Sequence, residues 1–342
     1  MIKQNPLRKD NNLLAPQKIS GWLILVIFAF VLGLALGGLL KGLWGSKNDQ
    51  SLFFQARQGG YQFINPLLDF EPLEETRRGD LVNLRKGLEE LINEATRNHK
   101  VFQVSVYFKE LSSGAWIGID EKEEFAPASL LKVPLMIVCL KIAEENPDYL
   151  NQTIEYRSTD EGLSQNILPG KELIEGKFYS VGTLIRRMIV YSDNQALYTL
   201  LEHVEESRVE EVYSALGLRL PDRDGDQENF ITVKDYAALF RVLYNASYLN
   251  REMSEKALKL LSEVSYDNGL GAGVPKNIAI ANKFGERVYS DGLKQFHDCG
   301  IIYYPDKPYL LCVMTKGTDL EALQQVIQRV SGAVYQVVGL GD

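Results

Sequence analysis

Residues 22–40 read WLILVIFAFVLGLALGGLL, nineteen positions without a charge. At 1.5 Å per residue, a helix of that length covers about 30 Å, the thickness of a bilayer's hydrocarbon core. A helix lying on a soluble core would keep a polar face, and this run has none. A secretory signal would have an apolar stretch of about 7–15 residues and a small-residue cleavage site, and no A-x-A pattern follows here. The run therefore predicts an uncleaved, single-pass membrane helix. Lys3, Arg8, Lys9 and Lys18 precede it, opposed by Asp10, whereas Lys41 and Lys47 follow it more sparsely. The positive-inside rule then places residues 1–21 in the cytoplasm and everything after the span outside, with Trp22 and Trp44 at the two interfaces. Residues 41–76 read as an extracytoplasmic linker and residues 77–342 as a folded domain. The expected location is the cell membrane, with the domain facing the envelope.

The rest of the composition excludes several classes. The net charge is −8 and no long basic run occurs, so nucleic acid is not an expected partner. Three cysteines (Cys139, Cys299, Cys312) and three dispersed histidines (His99, His203, His297) form no CxxC or HExxH pattern. No metal site or other cofactor is expected. The oligomeric state is not legible.

Apolar residues at helical spacing (Leu81, Leu84, Leu88, Leu91, Ile92) predict a helix over 81–95. Two strand-like runs, 101–108 and 115–119, flank a turn with Ser112, Ser113 and Gly114 and read as a hairpin. Helices are expected from about 128 to 145 and, as one long element, from 181 to about 204. Thr232 followed by Asp235 starts another helix as a capping-box variant. Strands return at 278–284, 299–304 and 309–315, and a helix from about 320 to 337 closes the chain. The arrangement predicts an α+β fold, an α/β sandwich in which both ends of the domain feed one antiparallel sheet and a helical lobe is inserted between them.

The last two strands bear on the cysteines. If Tyr304 faces Tyr309, Cys299 and Cys312 share a face only diagonally, about 7–8 Å apart and at the limit of a disulfide. A tighter turn with Tyr304 opposite Lys307 would set them directly opposite, where a bridge becomes feasible. Two small buried thiols are the expected outcome.

Three motifs carry chemistry. Ser129-Leu130-Leu131-Lys132 places Ser129 and Lys132 side by side on a helix. A serine hydroxyl needs an adjacent base, and a lysine serves only if burial or another cation lowers its pKa. Ser192-Asp193-Asn194 interrupts an apolar helical run with three small polar residues. Those residues could cap a helix or form a second wall of a site. Lys283-Phe284-Gly285 falls on a predicted strand, where Lys283 would add positive potential and Gly285 would admit close backbone approach.

In this order, with Ser129 and Ser192 63 residues apart and Ser192 and Lys283 91 apart, the motifs resemble the SxxK, SDN and K-T-G signatures of class A β-lactamases and penicillin-binding proteins. The resemblance runs from about residue 81 to the end. It implies a five-stranded antiparallel sheet with flanking helices, a helical lobe, and an active site between them. It implies Ser129 as acylated nucleophile, Lys132 as its base, and Ser192 as proton shuttle to the leaving nitrogen. Asn194 would position substrate and Lys132, and Lys283 would attract a substrate carboxylate. Backbone N–H groups of Ser129 and Glu286 would form the oxyanion hole, with Gly285 beside them. The substrate class would be a small-molecule or peptide-like amide.

Two positions depart from the pattern. The third motif carries Phe284 where the family has a hydroxyl that binds the substrate carboxylate. The family's deacylating glutamate lies in an E-x-x-L-N loop, absent from 216–232, which reads GLRLPDRDGDQENFIT from Gly217. Asp224, Asp226, Glu228 and Glu286 are candidate carboxylates by position. Three readings follow: an active serine acyl-hydrolase, a penicillin-binding-protein-like peptidase or slow acyl trap, and a binding module that keeps the fold without the chemistry.

Overall fold

The computed structural model describes residues 53–57, 60–72, 78–97, 99–158, 172–221 and 228–340. The apolar run at 22–40 lies outside them. Among the described residues, no helix is long and apolar enough to cross a membrane.

The sheet has five antiparallel strands in the order β4-β3-β9-β8-β7. The strands are β3 (Val101–Glu110), β4 (Trp116–Ile119), β7 (Ile280–Val288), β8 (Lys294–Ile302) and β9 (Tyr309–Gly317). β3 and β4 form the expected hairpin, and the C-terminal β9 pairs with β3. The two ends of the domain therefore close the sheet together, and β7 is left as an edge.

One face of the sheet is covered by α1 (Arg78–Thr96) and α8 (Leu320–Leu340). Leu84, Leu88, Val326, Val330 and Val334 from these helices pack with Val104, Phe108 and Val313 of the sheet. The other face carries the helical lobe, whose axis is α2 (Lys132–Glu145). Its sequence KVPLMIVCLKIAEE is apolar almost all round, so the helix is buried from Val133 to Leu140. Around it lie α3 (Val181–Val190), α4 (Asn194–Leu201), α5 (Glu206–Ala215), α6 (Val233–Tyr244) and α7 (Arg251–Ser262), with a small ribbon of β5 (Thr153–Glu155) and β6 (Phe178–Ser180).

Two expectations are corrected. The long helix over 181–204 is two helices, α3 and α4, broken at Tyr191–Asp193. The break is stabilised locally. Asp193 Oδ1 accepts from the backbone N–H of Gln195 and Ala196 and so caps α4, and Val190 O accepts from Ser265 N and Oγ. The β8–β9 hairpin uses the tighter turn. Lys307 N donates to Tyr304 O, Ile302 pairs with Tyr309, and Cys299 sits directly opposite Cys312. The pair is a disulfide with Cα atoms 3.9 Å apart, not two thiols. A turn two residues shorter moves the partner from diagonal to opposite. Cys139 is free and buried.

Thr232 caps α6 as expected, accepting from Asp235 N. The segment before α1, read as linker, carries a second two-stranded ribbon, β1 (Phe53–Arg57) with β2 (Leu67–Pro72). Between those strands Phe63 and Ile64 are buried against the lobe. The backbone N–H groups of Gln62, Phe63 and Ile64 donate to the Glu255 carboxylate, and Tyr303 Oη donates to Phe63 O. The folded unit thus reaches well upstream of residue 77.

Candidate active site

The site lies where α2 begins, between the lobe and the edge strand β7. A 3-10 turn, Ala128–Leu131, precedes α2. Ala128 holds φ +47°, a left-handed conformation that costs a residue with a Cβ on the order of 1–3 kcal/mol. The partly exposed Ser129 follows Ala128 within this 3-10 turn, immediately ahead of α2, with its Oγ 2.9 Å from Lys132 Nζ.

Lys132 is 1% exposed. Its Nζ lies 2.6 Å from Asn194 Oδ1, 2.8 Å from Ser192 O and 3.1 Å from Ser192 Oγ. Two of these partners, Asn194 Oδ1 and Ser192 O, can only accept. A neutral amine has two N–H groups for them and one lone pair left for the Ser129 hydroxyl. The electrostatics favour that form. Burial brings the Lys132 pKa down to about 7, against the opposing pull of the Asp193 and Glu286 charges.

Ser192 also holds a left-handed φ, +54°, and is buried at the break between α3 and α4. Its Oγ bridges Lys132 and Lys283, whose Nζ is 3.0 Å away. Lys283 is fully buried on β7 and donates to Phe284 O at 2.8 Å. Burial and then the neighbouring Lys132 hold its pKa well below the ordinary lysine value. Asp193 supports this wall from behind: Arg187 grips its Oδ2 through Nε at 2.8 Å and Nη2 at 2.7 Å.

Gly285 makes the contact between strand and turn. A Cβ there would lie 3.0 Å from Pro127 O and 3.3 Å from Leu130 N, so a side chain fits only if the strand or the turn gives by a few tenths of an ångström. Glu286 follows it, half-buried at the edge of the sheet.

The fold therefore assembles Ser129, Lys132, Ser192 and Asn194 with Lys283 in one hydrogen-bonded cluster, with Gly285 against the turn that carries Ser129. The Phe284 side chain adds no hydrogen bond to that cluster, but its ring abuts it. The ring is buried 4.3 Å from the Tyr266 ring and packed near Phe296. Lys283 Nζ lies 4.1 Å from its centroid. Of the loop carboxylates, Asp224 and Asp226 lie outside the described residues. Glu228 is exposed at the surface, paired with Arg287 at 2.9 Å. Among the described residues, no group of acidic, histidine or cysteine side chains could hold a metal ion.

Several participants had no signal in the sequence. Tyr236 Oη donates to Leu130 O at 3.0 Å and ties the nucleophile turn to α6. Asn282 Nδ2 donates to both oxygens of buried Asp298, as does Leu270 N to one. Burial raises Asp298 to about 6. His297 and Gln295 on β8 bind the backbone ahead of the turn. Burial lowers His297 to about 3, so its ring is neutral.

The sheet, the lobe and this cluster define a serine hydrolase fold of the class A β-lactamase type. The profile of the Beta-lactamase enzyme family matches residues 84–338, and the chain belongs to that family. Solved structures agree on the fold. A β-lactamase from Xanthomonas campestris pv. campestris is 24% identical, with a TM-score of 0.64, over 75% of this chain and 99% of that one. A class A β-lactamase from Mycobacterium abscessus is 21% identical, with a TM-score of 0.63, over 76% and 100%. PBP-A, seen as a mutant in an acyl-enzyme complex with penicillin G, is 22% identical, with a TM-score of 0.61, over 75% and 96%. No curated protein matches the chain.

Proposed function

We propose that this protein is a membrane-anchored serine acyl-hydrolase that attacks a β-lactam or a related peptide-like amide. The observation that carries the reading is Lys132 Nζ at 2.9 Å from Ser129 Oγ with its pKa brought to about 7. Such a lysine accepts a proton near neutral pH. Ser129 Oγ then bonds to the substrate carbonyl carbon as its proton passes to Lys132. Backbone N–H groups of Ser129 and Glu286 stabilise the oxyanion. Ser192 Oγ, in contact with both lysines, hands a proton to the leaving nitrogen as the amide bond breaks and is reprotonated from the lysine side. Asn194 orients Lys132 and the substrate, and Lys283 holds Ser192 Oγ from the strand side. Water then releases the acyl group. The 22–40 run holds the domain on the outer side of the cell membrane, with the N-terminus in the cytoplasm.

A second reading, an acyl trap or slow peptidase, draws on the deacylation side. Glu228 is the one acid among the described residues of 216–232, and its carboxylate is engaged by Arg287. The experiment is to incubate the full chain with a chromogenic penicillin and follow intact mass, with Ser129→Ala as control. An adduct that vanishes in the control supports acyl chemistry, and its lifetime separates hydrolase from trap. A folded protein that forms no adduct and shows no turnover leaves the binding-module reading instead.

A further inference from the structure

We propose that Gln295 and His297, two residues apart on β8, are positioning residues that hold the strained nucleophile turn through the backbone of Ala126. The inference rests on Ser129 being the acylated residue.

Ala126 lies three residues before Ser129. Its N–H donates to Gln295 Oε1 at 3.0 Å, and its carbonyl lies 3.0 Å from His297 Nε2. The histidine's roles are fixed by its other nitrogen. Thr315 N donates to Nδ1 at 3.3 Å, so Nε2 carries the hydrogen and donates to Ala126 O. The His297 ring also meets the Phe125 ring edge to face, 5.4 Å between centroids. Gln295 is equally defined. With Oε1 accepting from Ala126, its Nε2 donates to Asn229 Oδ1 at 2.9 Å and Tyr289 Oη at 3.2 Å. Both side chains are fully buried.

One residue upstream, Phe125 exchanges backbone bonds with Ile231. One residue downstream, Pro127 has no N–H, and its carbonyl accepts from Leu130 N. Ala126 is thus the last backbone unit tied to the sheet before Ala128 turns left-handed. A residue with a Cβ stays at φ +47° only where its surroundings over-determine it. Gly285 closes the turn from β7 and Tyr236 from α6, and the Gln295–His297 pair supplies the upstream anchor.

Satisfying a buried amide and carbonyl is a structural task that many side chains perform. The proposal differs from it by requiring coupling to Ala128. Gln295→Met keeps length and bulk but cannot accept from Ala126. Gln295→Glu keeps the acceptor. Ala128→Gly holds a positive φ without cost.

The experiment measures the Ser129 acylation rate by a penicillin in the full chain, by intact mass, for each variant and for Gln295→Met combined with Ala128→Gly. Gln295→Met is expected to slow acylation about ten- to a hundredfold, the scale of a misplaced reacting group. Gln295→Glu is expected to retain most of the rate. In the Ala128→Gly background, the cost of Gln295→Met is expected to shrink to a few-fold. An equal loss in both backgrounds overturns the proposal and leaves a structural role.

Amide hydrogen exchange on the same proteins reads the turn without chemistry. Faster exchange confined to 126–131 in Gln295→Met is expected, and unchanged exchange overturns the proposal. If the wild-type chain takes no penicillin while exchange responds as stated, the functional reading fails and the positioning role stands.

Discussion

The two walls of the site differ in how closely they keep the family pattern. On the lobe side, Ser129, Lys132, Ser192 and Asn194 match the first two motifs, and their side chains form one connected set of hydrogen bonds. On the strand side, Lys283 and Gly285 match, but Phe284 stands in the hydroxyl's place and turns into an aromatic cluster with Tyr266. Glu286 then adds a negative charge whose field reaches both lysines. Under the proposed function the lobe side makes the acyl bond, while on the strand side Phe284 offers no hydroxyl and Glu286 adds a negative charge. The proposal therefore expects acyl chemistry with altered substrate selection.

The largest test of the lobe side is removal of its nucleophile and base. Ser129→Ala is expected to abolish the covalent adduct in intact mass. Lys132→Ala is expected to lower the acylation rate by about 10²–10⁴, the usual contribution of a positioned general base. The same base sets the pH profile. With the Lys132 pKa lowered to about 7, the amine is protonated below that value and free to accept a proton above it. The wild-type acylation rate is therefore expected to rise about tenfold per pH unit below 7 and level off above. A profile still climbing at pH 9 would mean that burial does not depress this lysine.

The wall behind Ser192 is tested by Asp193→Ala. This change leaves Arg187 without its buried carboxylate and uncaps α4, and a loss of about 3–5 kcal/mol in denaturant unfolding is expected. Retained stability would make the break between α3 and α4 a property of Ser192 alone.

The strand side yields smaller and selective effects. Phe284→Thr replaces a ring that lies against Lys283 Nζ by a hydroxyl and is expected to strengthen binding of an anionic penicillin by about one to two powers of ten. A neutral amide probe should respond little. Glu286→Gln removes the negative charge and is expected to quicken acylation by the anionic probe a few-fold, more at low ionic strength. Equal responses from anionic and neutral probes would break the comparison between the walls.

Much of this architecture was legible in the chain. Period-2 and helical apolar patterns placed the hairpin, the flanking helices and the closing strands. The Thr232–Asp235 spacing placed the start of α6, and the three motifs named the residues that converge. Asp193 caps α4, as the SDN residue types allowed, but Val181 to Val204 is apolar enough to read as one helix. The break depends on Arg187 gripping Asp193 and on Val190 O being taken by Ser265, 75 residues away. The thiols misled because a turn two residues tighter changes which strand positions face each other.

Local forces determined what the sequence shows by itself: the strand and helix periods, the capping residues, and the presence and order of Ser129, Lys132, Ser192, Asn194 and Lys283. Only the tertiary structure decided that Lys132 loses its proton near neutrality. That shift requires burial on all sides, with Ser192 and Asn194 brought from 60 and 62 residues away. The tertiary structure alone also decided that Phe284 packs against Tyr266, that Cys299 meets Cys312, and that β8 holds the backbone of Ala126 from about 170 residues downstream. These outcomes belong to pairs of residues far apart in the chain, and no local pattern carries the distance between them.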